Sequence, residues 1–144
     1  MSDLLRFPES TSIALHALTF LAMNPDRLVS QNEIAETFKV SEAHLAKVLQ
    51  QLRKEKFVEA TRGPSGGFVL TRDPNTISLL EVHEALQGPQ TARSCILLHP
   101  ACDGEGCPLG KSIKKLDEQL ISFLKSTTIT SVSKYLNKKG LNSN

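Results

Sequence analysis

Apolar residues change their spacing several times along this chain, and the changes mark its elements. Ile13, Ala14, Ala17, Leu18, Phe20 and Leu21 share a broad face at helical spacing. They predict a helix that opens at Pro8, a residue suited to a first helical turn, and stops at Asn24-Pro25-Asp26. Glu9, Ser12, His16 and Thr19 fall on its other face. Ser30 and Glu33 form a capping box for a second helix, which turns Ile34, Ala35 and Phe38 inward. Lys39-Val40 is a short turn. Ser41 is the N-cap of a third helix running to about Lys56, with Leu45, Val48, Leu49 and Leu52 on one side. Two short helices across a tight turn make a helix-turn-helix. Phe57–Thr61 and Phe68–Thr71 then read as strands around Arg62–Gly67, a segment too rich in Gly and Pro to be anything but a turn. A β-hairpin in that position is a wing, and Asp73-Pro74-Asn75 closes it.

Ser78 and Glu81 form a second capping box, starting a helix to about Leu86 that Gly88-Pro89 stops. Periodicity disappears over residues 88–108, a loop of about 20 residues, and loops of that length in compact domains are usually functional. A long helix follows, in which Leu109, Ile113, Leu116, Leu120 and Phe123 step alternately by four and three, a heptad seam. Such a seam needs a facing surface, which a second copy of the helix supplies. Ser126–Leu136 adds a short helix, and Lys138–Asn144 is a polar, frayed tail. The expected fold is mainly α: a winged helix-turn-helix with a small β-hairpin wing and a long C-terminal dimerisation helix. The chain divides into a DNA-binding domain at 1–87, a cysteine loop at 88–108, a dimerisation helix with a short last helix at 109–136, and a flexible tail at 137–144.

Composition narrows the class. The chain has 144 residues, 40% of them hydrophobic, enough for one domain with a true core. No apolar run approaches the roughly 18 residues of a membrane span. Met1–Arg6, with Asp3, lacks a signal-peptide layout, so a cytoplasmic location and no membrane partner are expected. No nucleophile motif, phosphate loop or paired carboxylate pattern is present, so an enzyme is not expected. The net charge of +2 hides an uneven distribution. Residues 39–72 carry seven Lys/Arg (Lys39, Lys47, Arg53, Lys54, Lys56, Arg62, Arg72) against three acids (Glu42, Glu55, Glu59). A basic segment inside a near-neutral chain is the usual footprint of phosphate contact.

That segment contains the candidate DNA-reading surface. A recognition helix buries one face and offers the other to the major groove. The outward positions of the third helix are Ala43, His44, Ala46 and Lys47 near its start and Gln50 and Gln51 a turn later. Small Ala43 and Ala46 permit close approach and contact with a thymine methyl. Gln reads adenine, and Lys47 reaches guanine or phosphate. The Ser41 hydroxyl and the free amides of the helix start suit a phosphate. Arg62 suits a narrow minor groove, and the Gly63, Ser65 and Gly66 segment lets backbone lie along the sugar-phosphate chain.

Cys95, Cys102 and Cys107, with six and four residues between them, are the only cysteines. An odd set on one loop suits ligation or thiol chemistry better than a disulfide frame. Soft thiolates favour an iron–sulfur cluster, zinc or copper(I). A tetrahedral zinc site completed by a histidine and a metal-free thiol switch both remain open.

The run Ser41–Leu70, with Leu45, Leu49, Leu52 and the Arg62-Gly63-Pro64-Ser65-Gly66-Gly67-Phe68 wing, closely resembles the IscR/NsrR/RirA-type (Rrf-two) family of bacterial winged-helix transcriptional regulators. Ile77–Val82, Ala85-Leu86, the cysteine loop and the long helix match as well, so the resemblance spans nearly the whole chain. It implies a homodimer on a pseudo-palindromic DNA operator, its long helices crossing at the twofold axis. Some members hold a [2Fe–2S] or [4Fe–4S] cluster on three loop cysteines, which implies that role for Cys95, Cys102 and Cys107. The fourth ligand varies among members. A histidine three residues after the last cysteine is absent here, since that position is Gly110. A carboxylate position on the first helix corresponds to Ser12, a poor ligand. His16 matches the first-helix histidine that some members use and is the leading fourth ligand, donated by the partner subunit. Glu9, on the same face, is second and His99 third. The signal, whether redox state, nitric oxide or iron and cluster status, is not legible.

Overall fold

Helix α1 is buried almost all round, and the other elements pack against it. The computed structural model describes residues 6–97 and 99–141. In those residues the order is α1 (Glu9–Met23), α2 (Gln31–Phe38), α3 (Glu42–Lys54), β1 (Val58–Thr61), β2 (Gly67–Leu70), a 3-10 turn at Pro74–Thr76, α4 (Leu79–Gln87), α5 (Gly110–Ser126) and α6 (Ile129–Lys138). Residues 1–5, on which the leader reading rests, and 142–144 of the expected tail lie outside the described residues. No described helix is long and apolar enough to cross a membrane.

The head is a winged helix. Ala14, Ala17, Leu18, Phe20 and Leu21 of α1 meet Ile34, Leu45, Leu49, Leu52, Val58 and Val82 in one core. Each fully buried side chain of leucine size contributes about 2 kcal/mol. The Lys39 turn between α2 and α3 takes a left-handed backbone (φ 53°). Ser30, Ser41 and Ser78 cap α2, α3 and α4 through their hydroxyls, accepting from the amides of Glu33, His44 and Glu81. The reciprocal half of both capping boxes is diverted: Arg27 forks the Glu33 carboxylate and Arg72 forks that of Glu81. Each pair ties its helix start to the segment before it. The Arg27 partnership also holds the Glu33 carboxyl below the usual range.

The hairpin pairs Val58 with Leu70 and Thr61 with Gly67. A third piece that the periodicity does not announce is Val29, just before α2. Its N–H donates to the Phe68 carbonyl at 3.1 Å and its carbonyl accepts from Phe68 N–H at 2.8 Å. The root of the wing is thus bonded to the α1–α2 connection.

One expectation is corrected. Thr19 is not on a polar face: it is 1% exposed, its hydroxyl donating to the Leu15 carbonyl within α1. α6 covers that side. The short helix expected over 126–136 is α6, and it lies along α1 with Ile129 and Ser133 buried. It is clasped there by Leu79 N–H to the Thr127 carbonyl (2.9 Å) and Ile129 N–H to the Ile77 carbonyl (3.0 Å). Regular structure continues to Lys138, into the segment expected to fray.

At Gly67 a Cβ would stand 2.6 Å from the Val29 carbonyl oxygen, a backbone atom that cannot swing aside. Gly67→Ala is therefore expected to cost about 2 kcal/mol or more in unfolding free energy, measured by urea denaturation. An unchanged midpoint would show that the wing root yields.

Candidate functional site

Helix α3 buries Leu45, Val48, Leu49 and Leu52, which leaves Ala43, Lys47, Gln50 and Lys54 exposed in one stripe along the opposite side. Ser41 and Glu42 are exposed at its start, Ala46 is half-buried, and Arg53 extends the exposed surface. Gln31 braces this helix start by donating to the Glu42 carbonyl at 3.3 Å. Lys47, Arg53, Lys54 and Arg62 have no acidic partner among the described residues. Arg72 contributes differently: bidentate to Glu81 and stacked over Phe57 at 5.3 Å, it is a structural cation. Arg53 and Lys54 count in the basic segment but not among the outward positions expected of the third helix, although the spacing from Lys47 and Gln50 carries the signal.

Two expected readers have other engagements. His44 is half-buried, with its Nδ1 3.7 Å from Glu9 Oε2 on α1. Gln51 turns from the exposed stripe: its side-chain amide donates to the Ala85 carbonyl of α4 at 3.2 Å and to Glu55 Oε1 at 3.3 Å.

Arg62, Gly63, Pro64 and Ser65 are exposed at the wing tip, and Gly63 adopts φ 113° with open space around it. Gly66 is required by the hairpin itself, because a Cβ there would lie 2.1 Å from the Thr61 carbonyl oxygen. Its smallness needs no DNA to explain it.

The described residues of the cysteine segment between α4 and α5 form no helix or strand. Its ends are anchored. Gln90 N–H donates to Glu84 Oε1 at 2.9 Å, and Arg93 N–H to Asp117 Oδ2 on α5 at 2.9 Å. Gly110 lets the Ser94 carbonyl close on the start of α5, since a Cβ would stand 2.8 Å from that oxygen. Cys95, adjoining Ser94, and Cys107, one turn before Gly110, are therefore held at the two feet of the loop, both half-buried, while Cys102 is exposed on its outer arc. Three thiols on a pliable loop fit a thiophilic metal or cluster by donor chemistry. Among the described residues, no three His, Cys, Asp or Glu side chains are gathered into a metal-binding group.

His16 and Glu9 are exposed on α1, and His99 is exposed within the loop. His16 Nδ1 lies 2.6 Å from the Ser12 carbonyl, and its ring packs edge-on against Phe38. A carbonyl only accepts, so the ring proton sits on Nδ1 and the Nε2 lone pair is left for another partner, the usual arrangement of a metal-binding histidine. Leu109, the N-cap of α5, and Leu116 and Phe123 within it are exposed at 53%, 61% and 56%, a stripe at seven-residue spacing, while Ile113 and Leu120 are half-buried.

A winged head with an unpaired cationic recognition face and an exposed apolar stripe on a long helix defines a helix-turn-helix regulator. The Rrf2 model, described as an iron-dependent transcriptional regulator, matches residues 7–135, and the chain belongs to that family. BadM of Rhodopseudomonas palustris, named an HTH-type transcriptional regulator, is 34% identical over 134 residues, covering 92% of this chain and 83% of BadM. CymR, the global cysteine regulator of B. subtilis, shares the fold at TM-score 0.76 and 24% identity, covering 92% of this chain and 98% of its own. T. potens IscR shares it at TM-score 0.74 and 22% identity, covering 97% and 94%.

Gly110→Ala is expected to lift Ser94 off α5 and speed the reaction of Cys95 with iodoacetamide severalfold, with Cys102 unaffected. Peptide mass spectrometry after timed alkylation reads this directly, and an unaltered Cys95 rate would remove the anchoring role of Gly110.

Proposed function

We propose that the protein is a homodimeric regulator that binds a pseudo-palindromic DNA operator and adjusts that binding through a cofactor, best read as an iron–sulfur cluster, at Cys95, Cys102 and Cys107. The observation that carries the DNA reading is the unpaired stripe of α3, with the equally unpaired Arg62 on the neighbouring wing. Ala43, Ala46, Lys47 and Gln50 meet base edges, with Ser41 and the α3 start on phosphate. Lys54 and Arg53 add phosphate contacts further along. His44 reaches DNA only by giving up Glu9. The Leu109, Leu116 and Phe123 stripe pairs with its twofold copy, which places two recognition helices about one DNA turn apart.

The loop cysteines supply three thiolate ligands, and the partner subunit's His16, its Nε2 uncommitted, is the leading fourth. The partner's Glu9 comes second, because here Glu9 faces the recognition helix. A bound cluster supplies a centre that reacts with oxidants, nitric oxide or iron depletion. The chain's own part is to hold that centre on a loop rooted in both the head and the long helix. A thiol switch is the second reading, favoured by the dispersed thiols of the single chain. Zinc fits the same donors.

Protein purified anaerobically is expected to be coloured, with iron and sulfide bound, and Cys102→Ala to lose both while keeping the circular dichroism of the fold. A colourless, metal-free wild type would leave the thiol switch standing. Colourless material that binds stoichiometric zinc would favour that ion instead. Arg62→Ala should weaken operator binding by about 1–3 kcal/mol, most where the flanking minor groove is A·T-rich, as read by fluorescence anisotropy across operators. Equal affinity at every site would take the wing out of the interface.

A further inference from the structure

Helix α4 ends in a way that its sequence makes incomplete. The Glu84 carbonyl accepts from Gly88 N–H at 2.8 Å. The next carbonyl, that of Ala85, would take its bond from residue 89, but residue 89 is Pro89 and has no N–H to give. The bond comes instead from another element: the Gln51 side-chain amide, on the recognition helix, donates to this oxygen at 3.2 Å in a half-buried setting. It is the one side-chain hydrogen bond between α3 and α4 among the described residues.

The same last turn of α4 carries further links. Gln87 donates to Ser10 of α1 at 2.9 Å, His83 meets the buried Thr11 hydroxyl at 3.2 Å, and Glu84 receives the Gln90 amide at the root of the cysteine loop. Arg93 then fastens the loop to Asp117 of α5, and the Ser94 carbonyl packs against Gly110 at the start of α5, both within two residues of Cys95. The path from the first thiol to the recognition helix is therefore short and made of named contacts. It passes through a carbonyl that, among the described residues, Gln51 alone satisfies.

We infer that Gln51 is a positioning residue that sets the recognition helix according to the state of the cysteine loop, by bonding the α4 carbonyl that Pro89 leaves open. This rests on the operator-binding and thiol-sensing reading above. Gln51 is thereby removed from the base-reading set and given the role of linking sensor to reader. A shift at the loop root moves the end of α4, and the Gln51 bond carries that movement to α3. The exposed stripe of Ala43, Lys47 and Gln50 shifts with it.

Operator affinity of the dimer, measured with its three cysteines free and again after alkylation by iodoacetamide, tests this. All cysteines of the chain lie in the loop, so the reagent's thiol chemistry is confined there. The wild-type ratio of the two affinities is expected to be about tenfold, within the usual range of allosteric coupling. Gln51→Met, which keeps length but cannot donate, should bring the ratio to about twofold or less, whatever it does to affinity itself. Pro89→Ala leaves Gln51 in place and supplies a competing N–H to the Ala85 carbonyl, so it should reduce the ratio too; it serves if Gln51→Met does not fold. A full wild-type ratio in both variants overturns the inference and leaves the sensing reading intact. A wild type whose affinity ignores alkylation overturns both.

Discussion

Burial of α1 on nearly every side is the constraint from which the rest of this architecture follows. A helix surrounded by α2, α3, α4, β2 and α6 has little surface on which to be polar. Its two buried threonines are therefore satisfied inside the packed head, Thr19 by the carbonyl of Leu15 in its own helix and Thr11 by His83 of α4. Burial also holds the His83 ring below the ordinary histidine value, so at neutral pH the Thr11 contact is one between uncharged groups. What remains exposed on α1 is a narrow strip with Glu9 and His16. Glu9 leans on His44 of the recognition helix, and His16 packs on Phe38 at the end of α2. The exposed part of the central helix thus lies where the two helices of the helix-turn-helix can both feel it.

Much of the head was legible because local signals agreed with each other. Serine caps at Ser30, Ser41 and Ser78, the Gly-Pro punctuation of the wing and the period of α3 all point to one answer, and the elements fall within a few residues of it. The failures share one cause: they depend on what packs from a distance. Nothing local says that α6 returns to lie on α1 and bury Thr19, or that Val29 joins the wing. The glutamates of the two capping boxes looked complete in themselves, yet Arg27 and Arg72 claim both.

The site was legible as residue types and less so as directions. Helical spacing places Gln50 and Gln51 on adjoining positions, but only the geometry of α4 shows that one faces outward and the other spans to Ala85. Similarly, the thiols could be counted from sequence. Their arrangement, with Cys95 and Cys107 at the feet of the loop and Cys102 on its arc, depends on Gly110 admitting the Ser94 carbonyl.

The clasp between Ile77–Leu79 and Thr127–Ile129 has a mechanical meaning of its own. It returns the chain to the head immediately after α5, so the long helix is held along its length, by Ser94 packed against its start, by Arg93 bonded to Asp117 at its middle and by these two backbone bonds at its finish. A rod secured like a bucket handle does not swing on a hinge. It transmits twist to the body that holds it, and whatever grips the outer side of α5 has leverage on the entire head as one piece.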